Sequence, residues 1–186
     1  MKKQLLLLVT LFTSAAVLLA GCGSVQIEDY ISDNYSLIDV VRSQAAEDSY
    51  VYLAEDQQVK EVADELIQVQ EPDEIGKYVN GKQVLIYDDQ FVILTEAPKE
   101  PDQTLIEVSD QEFVRNHYHP GFFQGMLLGN MLSNMFGGGW DRDQRSRCNS
   151  AYNNDCYGGY GSTGRWNPGA AGRGSTFRGG GPGTGK

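Results

Sequence analysis

His117 and His119 are the only histidines of the 186-residue chain, and Asp141 and Asp143 follow in the next segment. Imidazoles with a carboxylate are the donor set of a metal that activates water, so the chemistry they would support is metal-dependent hydrolysis on His117, His119 and Asp141. Such a site needs three or four groups to converge, and two histidines two residues apart project to nearly opposite sides of regular backbone. Surface or helix-end positions are therefore the plainer expectation for both rings. Cys148 and Cys156 do not complete a zinc set, because seven residues separate them where zinc sites usually have about two to four. Gly180 to Lys186 spells G-x-x-x-x-G-K, but a phosphate loop works between a strand and the helix it opens, and neither is expected here. There is no Gly-x-Ser-x-Gly elbow and no cysteine-histidine pair outside the expected disulfide. The acidic pairs Asp88-Asp89 and Asp64-Glu65 read as a turn and a solvated helix face. The expectation is a protein that is not an enzyme and carries no cofactor or metal.

The remaining cysteine has a different chemistry. Lys2 and Lys3 precede an apolar run over residues 5–19, and the small pair Ala20-Gly21 precedes Cys22, the layout of a secretory signal with its cleavage site. The run of 15 residues is shorter than the ~20 a spanning helix needs. In its order of residues Leu19-Ala20-Gly21-Cys22 resembles the lipobox of bacterial lipoproteins. That likeness implies a diacylglyceryl thioether on Cys22 and removal of residues 1–21, leaving 22–26 as a lipidated spacer. Two acyl chains anchor a protein stably where one does so only marginally. The expected location is the extracytoplasmic face of the cell membrane, with the membrane as first partner.

Charge is unevenly placed. Residues 22–139 carry 22 acidic and 6 basic side chains, a net −16, whereas 140–186 carry 3 acidic and 7 basic, a net +4. An acidic body with a basic tail suggests partners of opposite sign for each half, or a tail that folds back on the body. Export places Cys148 and Cys156 where disulfides persist, so they are expected to pair. Residues 157–186 hold 12 glycines in 30, too few apolar groups to order a segment, and the tail 140–186 is expected to be largely disordered around that one disulfide. Its arginines among aromatics are similar to segments that bind single-stranded nucleic acid. Export argues against nucleic acid and leaves anionic envelope polymers, lipid head groups or the acidic body.

The elements that must position these residues follow from periodicity. Ile27, Tyr30 and Ile31 open a helical stripe, and Ser36 reads as the N-cap of a helix over 37–46. Residues 49–54 are β-rich and short, hence a strand. Val59, Val62, Ala63, Leu66 and Ile67 fall at i, i+3, i+4, i+7 and i+8 and predict a helix lying on a core. Pro72 fits the first turn of another short helix ending before Asn80-Gly81. Residues 83–87 and 91–95 flank Asp88-Asp89-Gln90 as a hairpin, and 104–108 make a third β run. Ser109-Asp110-Gln111-Glu112 reads as a capping box with Ser109 at the N-cap, starting a helix toward Tyr118. The fold class is α+β: a mostly antiparallel sheet of about four strands with helices on one face, forming an acidic domain over 27–119.

Residues 121–136 carry no charge, and Gly121, Gly125, Gly129 and Ser133 recur every four residues. On one helix over 120–139 they would form a ridge of small residues that lets another backbone approach closely. Sixteen residues rise about 24 Å, short of a hydrocarbon core of about 30 Å. Two purposes stay open: docking on the protein's own sheet, or meeting a membrane protein through Gly121, Gly125 and Gly129.

The chain also resembles a lipoprotein family of Bacillus-type bacteria known only as a domain of unknown function. The resemblance rests on the lipobox, on Tyr52-Leu53-Ala54-Glu55, on Thr104-Leu105-Ile106-Glu107-Val108 with Glu112-Phe113-Val114-Arg115, and on the closing Gly179 to Lys186. It implies a Gram-positive membrane location and supplies no catalytic residue. The resulting expectation is a lipid-anchored envelope protein acting as a non-enzymatic binding or assembly module. The competing reading is an envelope hydrolase using His117 and His119.

Overall fold

The computed structural model of the chain describes residues 26–43, 47–98, 100–150 and 156–160. The expected signal segment 1–21, the expected lipidation site Cys22 and the glycine-rich stretch 161–186 lie outside the described residues. Six strands form one antiparallel sheet in the order β1-β2-β6-β5-β4-β3. They are β1 (Ser36–Arg42), β2 (Asp48–Ala54), β3 (Glu74–Ile75), β4 (Lys82–Tyr87), β5 (Gln90–Ala97) and β6 (Glu100–Asp110). The helices are α1 (Ile27–Asn34), α2 (Val59–Val69), α3 (Gln111–His117), α4 (Met131–Phe136) and α5 (Trp140–Ser150), with a 3-10 turn at Pro120–Phe123.

The α+β class holds, but the sheet has six strands rather than four, and helices cover both of its faces rather than one. Alternation along the central strands explains this, because successive side chains point to opposite sides. Leu85, Val92, Leu94, Ile106 and Val108 face α1 and α2 in one core with Ile31, Val62 and Leu66. Val84, Ile86, Phe91 and Ile93 face the other way, into a second core with Phe113, Val114, Tyr118, Phe123 and Tyr157. Strands buried on both sides read as continuous apolar runs.

Residues expected to form a helix after Ser36 form strand β1 instead. Ile38, Val40 and Val41 are β-branched, and the segment pairs with β2 from Ser36↔Leu53 to Arg42↔Asp48; long-range pairing overrides a local cap signal. Pro72 likewise starts no helix. Glu74 and Ile75 pair with Ile86 and Leu85, and Gly76 donates to the Val84 carbonyl at 2.7 Å, so the edge of β4 captures the segment. The helix stripe at Val59 and the hairpin around Asp88-Asp89 appear where periodicity puts them.

The N-cap of α3 is Asp110, whose carboxylate accepts from the Phe113 amide, not Ser109. Glu112 pairs with Arg115 at 2.7 Å instead of reaching back. β6 runs one residue further than the capping-box reading allows, which leaves Ser109 buried in the strand.

The chain from 120 to 139 is not one helix. A 3-10 turn at Pro120–Phe123 and α4 at Met131–Phe136 are separated by turns, and Gly125 has φ +85°. A left-handed residue cannot continue a right-handed helix. Among the described residues no helix is long and apolar enough to cross a membrane. The folded body extends past residue 139: α5 packs through Trp140, whose Nε1 donates to the Arg115 carbonyl at 3.0 Å, and through buried Gln144, whose amide donates to the Asn116 and Tyr118 carbonyls at 3.1 Å each. Residues 140–150 and 156–160 are therefore ordered on the body, against the expectation of a disordered tail from 140.

Candidate functional site

The two histidines point to different surroundings. His117, on the last turn of α3, sets Nε2 3.0 Å from Glu47 Oε2 in the β1–β2 connection. Its burial holds the imidazole pKa below the ordinary value, against the pull of Glu47 upward. His119 accepts from the Gly121 amide through Nδ1 at 2.9 Å and so caps the 3-10 turn. Burial first, then nearby Arg145, lowers its pKa, with Asp141 opposing. Asp141 is engaged by Arg145 at 2.9 and 3.1 Å. His119 and Asp141 thus share a neighbourhood through Arg145, and His117 does not join them. Among the described residues no three His, Cys, Asp or Glu side chains gather as metal ligands.

The three glycines expected to form a ridge sit in three different settings. A Cβ on Gly121 would stand 2.9 Å from His119 Nδ1; Gly125 supplies a positive φ beside Val79; Gly129 has nothing within 4 Å. What the stretch does build is a pair of hollows of mixed apolar and polar lining. One, of about 280 Å³, lies between Phe123, Leu127, Leu132 and Trp140 with Asp141 and Arg145 on its rim. The other, of about 190 Å³, lies between Ile75, Met126 and Met131 with Glu74 and Lys77 on its rim. Leu127 and Leu128 line both, and Leu128 is 65% exposed, with Ile75 at 51%.

Cys148 and Cys156 are bridged, with S–S 2.06 Å, the pairing expected of them. The bridge joins α5 to a short strap, residues 156–160, that crosses the second core. Beneath the strap lies a polar cluster that the motif reading missed. Glu107, in the middle of β6, is only 2% exposed. Its Oε1 accepts from the Ser49 hydroxyl at 2.7 Å and its Oε2 from the Tyr160 amide at 3.0 Å. Ser49 and Ser109 share a further hydrogen bond of 2.7 Å. Burial raises the Glu107 pKa, more than offsetting the Ser49 hydroxyl, the Tyr160 amide and the Tyr118 and Tyr157 phenols beside it, all of which favour the carboxylate. Both phenols are in turn pushed well up, by burial and then by the Glu107 charge. The available signal was a carboxylate between Ile106 and Val108, inside the short apolar run of β6 that begins at Leu105.

The chain belongs to the family described as a domain of unknown function, DUF4247, whose model matches residues 15–186. Comparison with curated proteins and with solved structures finds no match.

Proposed function

We propose, for this member of a family of unknown function, that the chain is a lipid-anchored envelope protein whose α+β domain is a non-enzymatic assembly module. Its partner is a second copy, met through the surface around Leu128. The observation that carries the reading is an exposed leucine that lines two neighbouring hollows. A protruding side chain beside a concavity is a self-complementary pattern that a two-fold interface can use, with the same patch on both copies. The lining of each hollow includes both signs, Glu74 with Lys77 and Asp141 with Arg145, so neither presents a single-sign field that would repel a second copy. Anchoring adds the rest: only residues 23–25 separate Cys22, the expected carrier of the acyl chains, from Gln26 at the start of α1. Copies confined to one surface meet at an effective concentration far above that of the same protein in solution.

The test uses full-length chains bearing donor or acceptor dyes, reconstituted into phosphatidylglycerol–phosphatidylcholine vesicles. Energy transfer is expected above the random level for that surface density. Leu128→Asp should reduce it to the random level with the melting temperature kept, while Leu37→Asp on the far edge strand leaves it intact. Random transfer by the unmodified chain would overturn the assembly reading. The anchor is tested separately: Cys22→Ser is expected to leave an uncleaved precursor that takes up no labelled fatty acid, and continued lipidation of that variant overturns it.

A further inference from the structure

The strap at residues 156–160 is attached to the domain as a bound peptide would be. Its main chain pairs with the segment after α3: the Tyr157 amide donates to the His117 carbonyl and the His119 amide to the Tyr157 carbonyl, each at 2.9 Å, giving a parallel bridge between Tyr118 and Tyr157. Its side chains are anchors. Tyr157 is 2% exposed and stands edge-on to Phe113 and Tyr118, with ring centroids 5.7 and 4.9 Å away. Tyr160 donates its hydroxyl to Asp39 Oδ2 at 3.0 Å on β1 and its amide to Glu107. Between them Gly159, at φ +86°, lets the backbone lie against Phe122, whose ring a Cβ would meet at 2.7 Å. Main-chain pairing for affinity with side-chain pockets for specificity is how extended peptides are recognised on sheet proteins.

We propose that the cleft formed by Phe113, Tyr118, Phe122, Glu107 and Asp39 is a binding site for a Tyr-Gly-Gly-Tyr segment, filled here by the chain's own residues 157–160 and open to the same segment of a second copy. Strap exchange needs no new surface, because the contacts made within one chain are remade between two. The Cys148–Cys156 bridge decides between the states: closed within one chain it holds the strap at home, and formed between chains it locks the exchanged pair. This proposal is independent of the Leu128 surface.

Two single variants test it. Full-length Cys148→Ser keeps Cys156 on its strap, and full-length Cys156→Ser keeps Cys148 beside its cleft; both carry Cys22→Ser so that no third thiol competes. Mixed in a glutathione buffer in which glutathione disulfide accepts the two electrons, they are expected to form a Cys156-to-Cys148 heterodimer. Adding Tyr157→Ala to the Cys148→Ser chain should cut its yield at least tenfold. Equal yields with and without Tyr157 overturn the proposal, since thiols meeting by chance do not need the anchor. Hydrogen exchange on the unmodified chain after reduction is the second measurement: the Tyr157 and Tyr160 amides are expected to exchange at least tenfold faster than that of Ile106. Matching rates would mean that the strap leaves only when the sheet unfolds, and would overturn it as well.

Discussion

A carboxylate in the middle of a two-sided core is costly unless it is neutral or well hydrogen-bonded. Glu107 has both remedies, with donors from Ser49 and Tyr160 and a pKa raised by burial. The raised pKa means that the folded state binds the proton more tightly than the unfolded state does. Stability is therefore fullest below the ordinary carboxyl value of 4.5 as far as this group is concerned, and declines as pH rises from there toward the folded value. Glu107→Gln should remove that decline, because a neutral amide can donate to Ser49 and accept from Tyr160 without ionising. Melting curves across acid to neutral pH check this; an unchanged slope in Glu107→Gln would show that other groups set it. Glu65 has the opposite sign. Burial pushes its pKa up, but donors from Tyr35, Tyr30 and Gln57 prevail and lower it. Its contribution is present above the ordinary value and is lost as pH falls through the folded value.

At the scale of elements, Glu65 ties α1 to α2, since both tyrosines come from α1 and the residue after it. Tyr30→Phe and Tyr35→Phe are each expected to cost about 0.5–1.5 kcal/mol, the net worth of one hydrogen bond, read by urea titration. The stretch 120–136 makes a sharper contrast. Gly125 needs its positive φ, so Gly125→Ala should cost about 1–2 kcal/mol for placing a side chain in the left-handed region. Gly129 meets nothing within 4 Å and has no such φ, so Gly129→Ala should fall within about 0.5 kcal/mol of the parent. Equal costs at the two positions would restore the idea of a shared ridge. The cap of α3 belongs to the same scale: Asp110→Ala is expected to lose about 1 kcal/mol, and Ser109→Ala to act through Ser49 in the sheet instead.

Over the whole molecule, two cores on opposite faces of one sheet are closed by segments far apart in sequence. α1 and α2 close one face early in the chain; α3, α4, α5 and the strap close the other late. The disulfide closes a loop of nine residues counted inclusively, for which the loop-entropy estimate is about 2.6 kcal/mol. Cys148→Ser/Cys156→Ser should lower the denaturation midpoint by a comparable free energy while the α1–α2 core keeps its protection in hydrogen exchange. The opposed charges of the acidic body and the basic residues after 160 give a further expectation. Retention of the full chain on a polyphosphate resin should be lost as salt rises, because exposed charges are screened within a Debye length of about 10 Å at 0.1 M. Removal of residues 161–186 should abolish that retention.

Local pattern was enough for the helix at Val59, the hairpin around Asp88-Asp89, the helix leading to His117 and the pairing of Cys148 with Cys156. Each depends on residues close together in the chain. Ser36 and Pro72 misled because a cap or a helix-starting proline is worth about a kilocalorie, less than a strand gains by pairing with β2 or β4 and burying its side chains. The regular glycine spacing looked like one surface until a left-handed residue at Gly125 broke the helix that would have aligned it. Glu107 was the least legible. Ser49 and Ser109 lie 60 residues apart and Tyr160 lies 53 residues beyond Glu107, so its surroundings exist only after the sheet has formed and the strap has crossed it. A carboxylate within a strand ordinarily reads as solvated, and burial is a property of distant segments brought together, which no local spacing encodes.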